Sequence, residues 1–230
     1  MGRKIYLMAV MIFTLGGTVL SQLRAVSDIE FKRFQMDFNL ARSFDEKTRP
    51  EYDGTPYLFD KFTGANIILK EERGYEGIPM NYNIYNDDFE FMMDGVSYAL
   101  GNNNIVKYIS INQRKFYYRT YTYNSAKIRG YLELIADGDY RFFKKHRVIY
   151  TEPQPTSGYV EAKPPTFSSR SPDYFIELGD GNIMFFNKLK DFADLVPGES
   201  SRIKDYIKDK RLKARREEDI IELADYLNGK

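Results

Sequence analysis

The chain has 230 residues, a formal net charge of +1 and no cysteine. The lack of cysteine excludes disulfides, thiolate nucleophiles and lipid attachment to a cysteine thiol. The near-neutral charge argues against nucleic acid as a partner, because phosphate binding relies on a surplus of basic residues. A core must therefore stabilise the fold, and 19 tyrosines and 17 phenylalanines are available to build it.

The first 21 residues have the pattern of a secretory signal peptide. Two basic residues precede the apolar run Ile5–Leu20, and Val19 and Ser21 supply modest side chains before a cleavage site at Gln22. An uncleaved anchor is the alternative, but about 16 apolar residues are few for a bilayer of roughly 30 Å. We expect an exported protein without a membrane span after cleavage, located in the periplasm, at the outer envelope or outside the cell.

Residues 22–54 form an N-terminal arm whose secondary structure the sequence pattern does not determine. Phe34, Met36 and Phe38 alternate as in a strand. Phe34, Phe38 and Ala41 also share one face of a helix, so the sequence does not choose between the two structures.

Residues 55–150 read as short strands separated by turn residues. Asp94-Gly95 and Asp137-Gly138 favour type I′ hairpin turns, which need positive φ at both central residues. Strands at this spacing predict an antiparallel meander, closed as a barrel or folded as a sandwich. The predicted strands are Tyr57–Phe62, Asn66–Lys70, Ile78–Tyr85, Phe89–Met93, Val96–Leu100, Val106–Ile111, Lys115–Tyr123, Ile128–Ala136 and Tyr140–Tyr150.

Residues 151–172 hold five of the nine prolines and are predicted to be an extended connector. Residues 173–230 follow with one hairpin, Tyr174–Leu178 and Ile183–Phe186, and then three short amphipathic helices. Such helices must dock on the sheet or on one another, because each is too short to be stable alone. The predicted class is therefore mainly β (α+β), with a C-terminal subdomain of short helices.

Six motifs follow one another in a familiar order. They are TPYLFDKF from Thr55, IPMNYNIYNDDFEF from Ile78, GYLELIADGDYRFFKKHRVIY from Gly130, SPDYFIELGDGN from Ser171, NKLKDFADLV from Asn187 and REEDIIELADYLN from Arg216. The series resembles an uncharacterised family of exported proteins common in Bacteroidetes-type bacteria. The resemblance implies export and one intact domain, and it brings no activity, cofactor or catalytic residue.

Catalytic groups are sparse. His146 is the only histidine, and its neighbours Lys144, Lys145 and Arg147 disfavour the imidazolium that an acid–base relay needs. No Gly-x-Ser-x-Gly elbow accompanies it, which argues against a serine hydrolase.

Carboxylate pairs offer the one alternative chemistry. Glu133 and Asp139 lie on adjacent predicted strands, and Glu90 and Asp94 lie near neighbouring turns. Two carboxyl groups about 5 to 9.5 Å apart can hydrolyse a glycosidic bond. A carbohydrate-active enzyme is therefore an alternative function.

The sequence predicts neither a metal site nor a cofactor. Asp137-Gly-Asp139 and Asp180-Gly-Asn182 begin like calcium loops, but the oxygen ligands do not continue. The acidic tip Asn86–Asp88 with Glu90 is better explained as a solvated turn. Walker and dinucleotide patterns are missing, and the basic segment Lys208–Arg216 is flanked by acids, as at a solvated helix junction.

The stretch RKFYYRTYTY, Arg114–Tyr123, is the best functional lead. In strand geometry Tyr117, Arg119, Tyr121 and Tyr123 share one face. If this face is open, its rings can stack on sugars or bases or anchor a protein. The other interpretation is that the helices or the connector cover it.

We therefore predict an exported non-catalytic binding or structural module of the cell envelope, with a protein or glycan as partner and the tyrosine row as binding residues. The alternatives are the carbohydrate-active enzyme and, if the meander closes into a barrel, a small-molecule carrier.

Overall fold

The computed structural model describes residues 28–38, 41–45, 51–156, 161–196 and 198–229. The predicted signal peptide lies outside these residues. Within them, no helix combines the length and apolarity that crossing a bilayer requires.

Eleven strands and four α-helices make up the described chain. In sequence order they are α1 (Asp28–Phe38), β1 (Ala41–Asp45), β2 (Thr63–Leu69), β3 (Gly74–Asn83), β4 (Asp88–Met93), β5 (Val96–Ala99), β6 (Val106–Ile111), β7 (Arg114–Tyr123), β8 (Ala126–Ala136), β9 (Arg141–Thr151), β10 (Thr166–Glu177), β11 (Ile183–Phe186), α2 (Leu189–Ala193), α3 (Ser200–Lys210) and α4 (Glu217–Leu227).

The strands form one sheet in the order β1-β5-β4-β3-β2-β6-β7-β11-β10-β9-β8, and β7 also pairs with β8. All pairings are antiparallel except that of β11 with β7, a single parallel bridge between Met184 and Thr122. The sheet therefore curls back on itself without becoming a closed barrel. The predicted mainly β fold with C-terminal helices is confirmed.

Turn conformations agree with the sequence in part. Asp94 and Gly95 have φ of 51° and 74°, as the predicted type I′ turn requires. Asp137 does not have a positive φ, so the second type I′ prediction is wrong. Asn228, at the end of α4, holds this turn instead, because its amide bonds both the N–H and the C=O of Tyr140.

The N-terminal arm is part of the fold. Its residues 28–38 are helical, and Phe34 and Phe38 are fully buried against the sheet. Ala41–Asp45 pairs with β5 as an edge strand. By contrast, the predicted strand Tyr57–Phe62 consists of bends with one isolated bridge, Tyr57 to Asn83.

The connector is shorter than predicted. β9 continues to Thr151 and β10 begins at Thr166, so only residues 152–165 connect them. Pro172 lies inside β10, where the register with β9 shifts between Arg170 and Asp173. A bulge tolerates proline because the residue is not needed as a ladder donor there.

Three groups of buried side chains stabilise the sheet. The first core packs α1 against β2, β3, β4, β6 and β7. The second core lies between β9–β11 and helices α2–α4. The third core fills the inside of the curl formed by β7–β11, and its buried members are Tyr121, Leu132, Phe143, Phe175 and Ile183.

Candidate functional site

The predicted tyrosine row faces the third core. Tyr121 is only 6% exposed, and its ring centroid lies 4.9 Å from that of Phe175. Tyr123 packs on Phe185 at 4.7 Å. The alternation along β7 is therefore as predicted, but strands β9–β11 cover the row, rather than the helices or the connector.

The other two members of the row are also engaged in the fold. Tyr117 packs edge-on against Phe143 at 6.0 Å and carries the Arg141 guanidinium over its ring. Arg119 forms an ion pair with Glu177. The row is thus used for packing, and it does not present the open face that a stacking site needs.

A different set of rings reaches solvent. We call Tyr52, Tyr85, Tyr150 and Phe167 the aromatic patch. Phe167 is central, with ring centroids 5.0 Å from Tyr52, 5.3 Å from Tyr85 and 5.0 Å from Tyr150. Tyr85 is 53% exposed, the largest exposure among the described tyrosines that belong to a ring cluster.

Backbone hydrogen bonds fix the segments that carry the patch. Asp53 donates to the Pro165 carbonyl at 2.9 Å, and Phe167 donates to the Asp53 carbonyl at 2.8 Å. Gly54 has φ of +75°, and a Cβ there would lie 2.1 Å from the Phe167 carbonyl oxygen, so only glycine fits. Beside Tyr85, Ile84 donates to the Pro56 carbonyl at 2.8 Å.

The residues next in sequence to the patch rings are acidic or neutral. No residue adjacent in sequence to one of the four rings is basic; these neighbours are Glu51, Asp53, Ile84, Asn86, Ile149, Thr151, Thr166 and Ser168. Exposed rings with hydroxyl-bearing neighbours can stack on a sugar and hydrogen-bond its hydroxyls. Negative charge beside them disfavours an anionic ligand.

Sequence reasoning missed this patch because its rings lie far apart in the chain. Tyr150 and Phe167 flank the connector, which places them side by side once β9 and β10 pair. The sequence contains no local signal for the site, because Phe167 lies inside the connector predicted over residues 151–172.

Two of the polar residues weighed for catalysis, Glu133 and His146, lie in an ion-pair network between the first and second cores. Arg114 donates to Glu133 through Nε at 2.6 Å, and His146 Nε2 lies 2.5 Å from Glu133 Oε2. Lys144 lies 3.5 Å from Glu133 and 2.7 Å from Glu217 at the start of α4. Glu133 is thus surrounded by nitrogen donors.

These contacts determine the protonation states. Burial alone would raise the pKa of Glu133, but the hydrogen bonds from His146 and Arg114 outweigh it and lower the pKa to about 2. Burial lowers the pKa of His146 despite its carboxylate partner, so the imidazole is neutral at pH 7. An ionised, fully paired carboxylate cannot act as a general acid at neutral pH.

The other predicted acids do not join Glu133. Asp139 and Asp94 are exposed in turns, whereas Glu90 is 2% exposed and accepts hydrogen bonds from Tyr57, Asn83 and Ser97. Neither predicted carboxylate pair therefore faces a common cleft. The acidic tip Asn86–Asp88 does not share a calcium site with Glu90, because the Glu90 side chain is buried in the core.

A second polar group marks the place where β8 and β9 separate. Their pairing ends at Glu133 and Lys144, so Tyr131, two residues before Glu133 on β8, lacks a strand partner on that side. Asp87 accepts from the Tyr131 N–H at 3.2 Å, and Lys145 donates to the Tyr131 carbonyl at 3.0 Å. Asp87 and Lys145 also pair with each other.

The chain matches no protein-family model, no curated protein and no solved structure. The site therefore rests on its geometry alone.

Proposed function

We propose that the protein is an exported, non-catalytic binding module of the cell envelope, and that the aromatic patch binds a neutral glycan. The observation that carries the proposal is the group of four touching rings, one of them 53% exposed, on backbone segments tied together by hydrogen bonds. A fixed ring cluster can stack on a sugar without losing much conformational freedom.

Export is supported by the sequence. The basic start, apolar run and small residues before Gln22 are typical of a signal peptide, and the order of motifs resembles a family of exported proteins. An envelope location brings such a protein into contact with polysaccharide.

The glycan is favoured over an anionic polymer by the flanking residues. Glu51 and Asp53 adjoin Tyr52, and Glu152 is exposed just beyond Tyr150 on the same strand end. These carboxylates repel phosphate or uronate groups, whereas neutral sugar hydroxyls can hydrogen-bond them.

Replacement of Tyr85 by alanine tests the proposal. Stacking on an aromatic side chain is worth about 1–3 kcal/mol where it is measured for nucleobases, so we expect about a fivefold or greater loss of affinity. Affinity electrophoresis in gels containing laminarin, xyloglucan or galactomannan measures the retardation, with alginate as the anionic comparison.

Tyr206→Ala is the matched control, because Tyr206 is a partly exposed tyrosine stacked on Tyr226 in the helical subdomain. It should retain full retardation. The proposal fails if none of the neutral polysaccharides retards the wild-type protein, or if both variants lose binding equally. Binding of envelope proteins that depends on Tyr85 would replace the glycan by a protein partner.

No observation on the described residues favours the two alternative functions, the carbohydrate-active enzyme and the small-molecule carrier. A glycosidase using Glu133 would need that ionised, paired carboxylate to be freed, and hydrolysis of any retarding polysaccharide would contradict our non-catalytic proposal. The small-molecule carrier would require the sheet to close into a barrel around a cavity, and the sheet is not closed.

A further inference from the structure

A cleft lies on the opposite side of β9 and β10 from the third core. It has a volume of about 370 Å³ and separates the sheet from the α3–α4 loop. Its lining combines charged, polar and apolar groups, among them Arg147, Ser171, Pro172, Asp173, Ala214 and Arg215. Its size is in the range that binds small ligands.

The β10 bulge shapes one wall of this cleft. Arg170 pairs with Arg147 and Asp173 pairs with Lys145, so Ser171 and Pro172 together lie opposite the single residue His146. Because Pro172 has no N–H, the strand cannot close the ladder here. The bulge turns Ser171 and Pro172 toward the cleft, as bulges do beside many binding sites.

The cleft carries a positive charge that the fold does not neutralise. Arg147 is paired with Asp173, with its nearest contact at 3.1 Å. Arg215 makes no hydrogen bond or ion pair with any of the residues described. It belongs to the basic segment Lys208–Arg216, which has no other assigned role.

The acids next to that segment are already engaged. Glu217 binds Lys144 at 2.7 Å, and Glu218 binds Arg216 at 2.9 Å. Asp219 accepts from the Lys213 backbone N–H at 2.8 Å. None of these carboxylates is paired with Arg215, which leaves its guanidinium for a ligand.

We propose that this cleft binds a small organic anion, with its carboxylate or phosphate at Arg147 and Arg215 and its apolar part against Pro172 and Ala214. A guanidinium presents donors in a planar fork that fits either anionic group. The site is separate from the aromatic patch, so each proposal can fail without the other.

Calorimetric titration with three probes of similar shape tests the proposal. Benzoate and phenyl phosphate carry the two candidate anions, and benzamide is the neutral match. We expect at least one anion to bind the wild-type protein at least tenfold more tightly than benzamide. Arg215→Gln should weaken that binding at least tenfold, because it removes the unpaired cation.

Arg129→Gln is the control, since Arg129 is an exposed arginine on β8 whose guanidinium lies over the Tyr118 ring. It makes the same change of charge away from the cleft and should leave the affinity unchanged. Arg215→Gln should also keep the melting temperature, because Arg215 supports no contact in the fold. The proposal is overturned if neither benzoate nor phenyl phosphate binds more tightly than benzamide, or if the two variants lose affinity equally.

Discussion

At the scale of single residues, Gly130 makes the junction between β8 and β9 possible. A Cβ at this position would lie 2.0 Å from Asp87 Oδ2 and 3.1 Å from Lys145 Nζ. The missing side chain therefore provides the space in which the Asp87–Lys145 pair reaches Tyr131. Burial lowers the pKa of Lys145, although Asp87 opposes this by favouring the charged ammonium.

Gly130→Ala should destabilise the protein by about 1–3 kcal/mol, the usual cost of overpacking. The methyl group would push Asp87 away from its bonds with Tyr82 and Tyr131. Urea denaturation measures the loss, and Gly179→Ala is the control because nothing lies within 4 Å of its added Cβ. If the two variants are equally stable, Asp87 does not need this space.

Glu133 gives the protein a specific response to acid. Its pKa of about 2 in the fold lies below the ordinary glutamate pKa of 4.5, which applies to the unfolded chain. The unfolded state therefore takes up the proton first as the pH falls. The stabilisation, about 3 kcal/mol, is complete above pH 4.5 and is lost as the pH falls towards 2.

Glu133→Gln should accordingly be less stable than wild type by about 3 kcal/mol at pH 7, and the difference should vanish near pH 2. Urea denaturation across this range provides the measurement. Glu76→Gln, an exposed change on β3, should leave stability nearly unaltered at every pH. A difference that stays constant with pH would show that the loss comes from packing and not from charge.

At the scale of elements, α1 shows why one pattern was ambiguous. Phe34 and Phe38 fit both the strand period and the helix period, and only packing decides between the two structures. In the fold the Phe34 ring centroid lies 5.1 Å from that of Phe91 and 5.4 Å from that of Tyr75. Met36, which the strand interpretation would have buried beside them, is 80% exposed. The helix is therefore selected by contacts with β3 and β4 that local sequence does not contain.

Phe34→Ala should cost about 3–5 kcal/mol, because it leaves a cavity in the first core. Met36→Ala, two residues away on the same helix, should change stability by less than about 0.5 kcal/mol. Thermal and urea unfolding of both variants measure the contrast. Similar small effects would mean that α1 is an accessory arm after all.

The left-handed conformation of turn residues was predictable from the sequence only in part. Asp94-Gly95 was recognised, but Asn112-Gln113 and Asn124-Ser125 also have positive φ at both residues, from 47° to 68°. Gln and Ser rarely adopt this conformation, so the short connections between strands, and not the residue types, impose it.

At the scale of the whole molecule, the sequence predicted the class of fold but not the curvature of the sheet. Alternation assigned Tyr117 and Tyr121 to one face of β7 correctly. Whether that face is open depends on β9–β11, the first of which begins 18 positions after the end of β7, at Arg141. A single strand carries no information about strands that follow it at this distance, so the sequence could not show that Tyr121 is buried in the third core and that the exposed Tyr85 lies elsewhere.

The aromatic patch has a consequence for how the protein can be probed. Its members lie at positions 52, 85, 150 and 167, and none of the peptides between them contains the whole surface. A ligand of the patch would thus recognise only an intact tertiary structure. Retention on such a ligand could then serve as an assay of refolding, since fragments or denatured chains would pass through unbound.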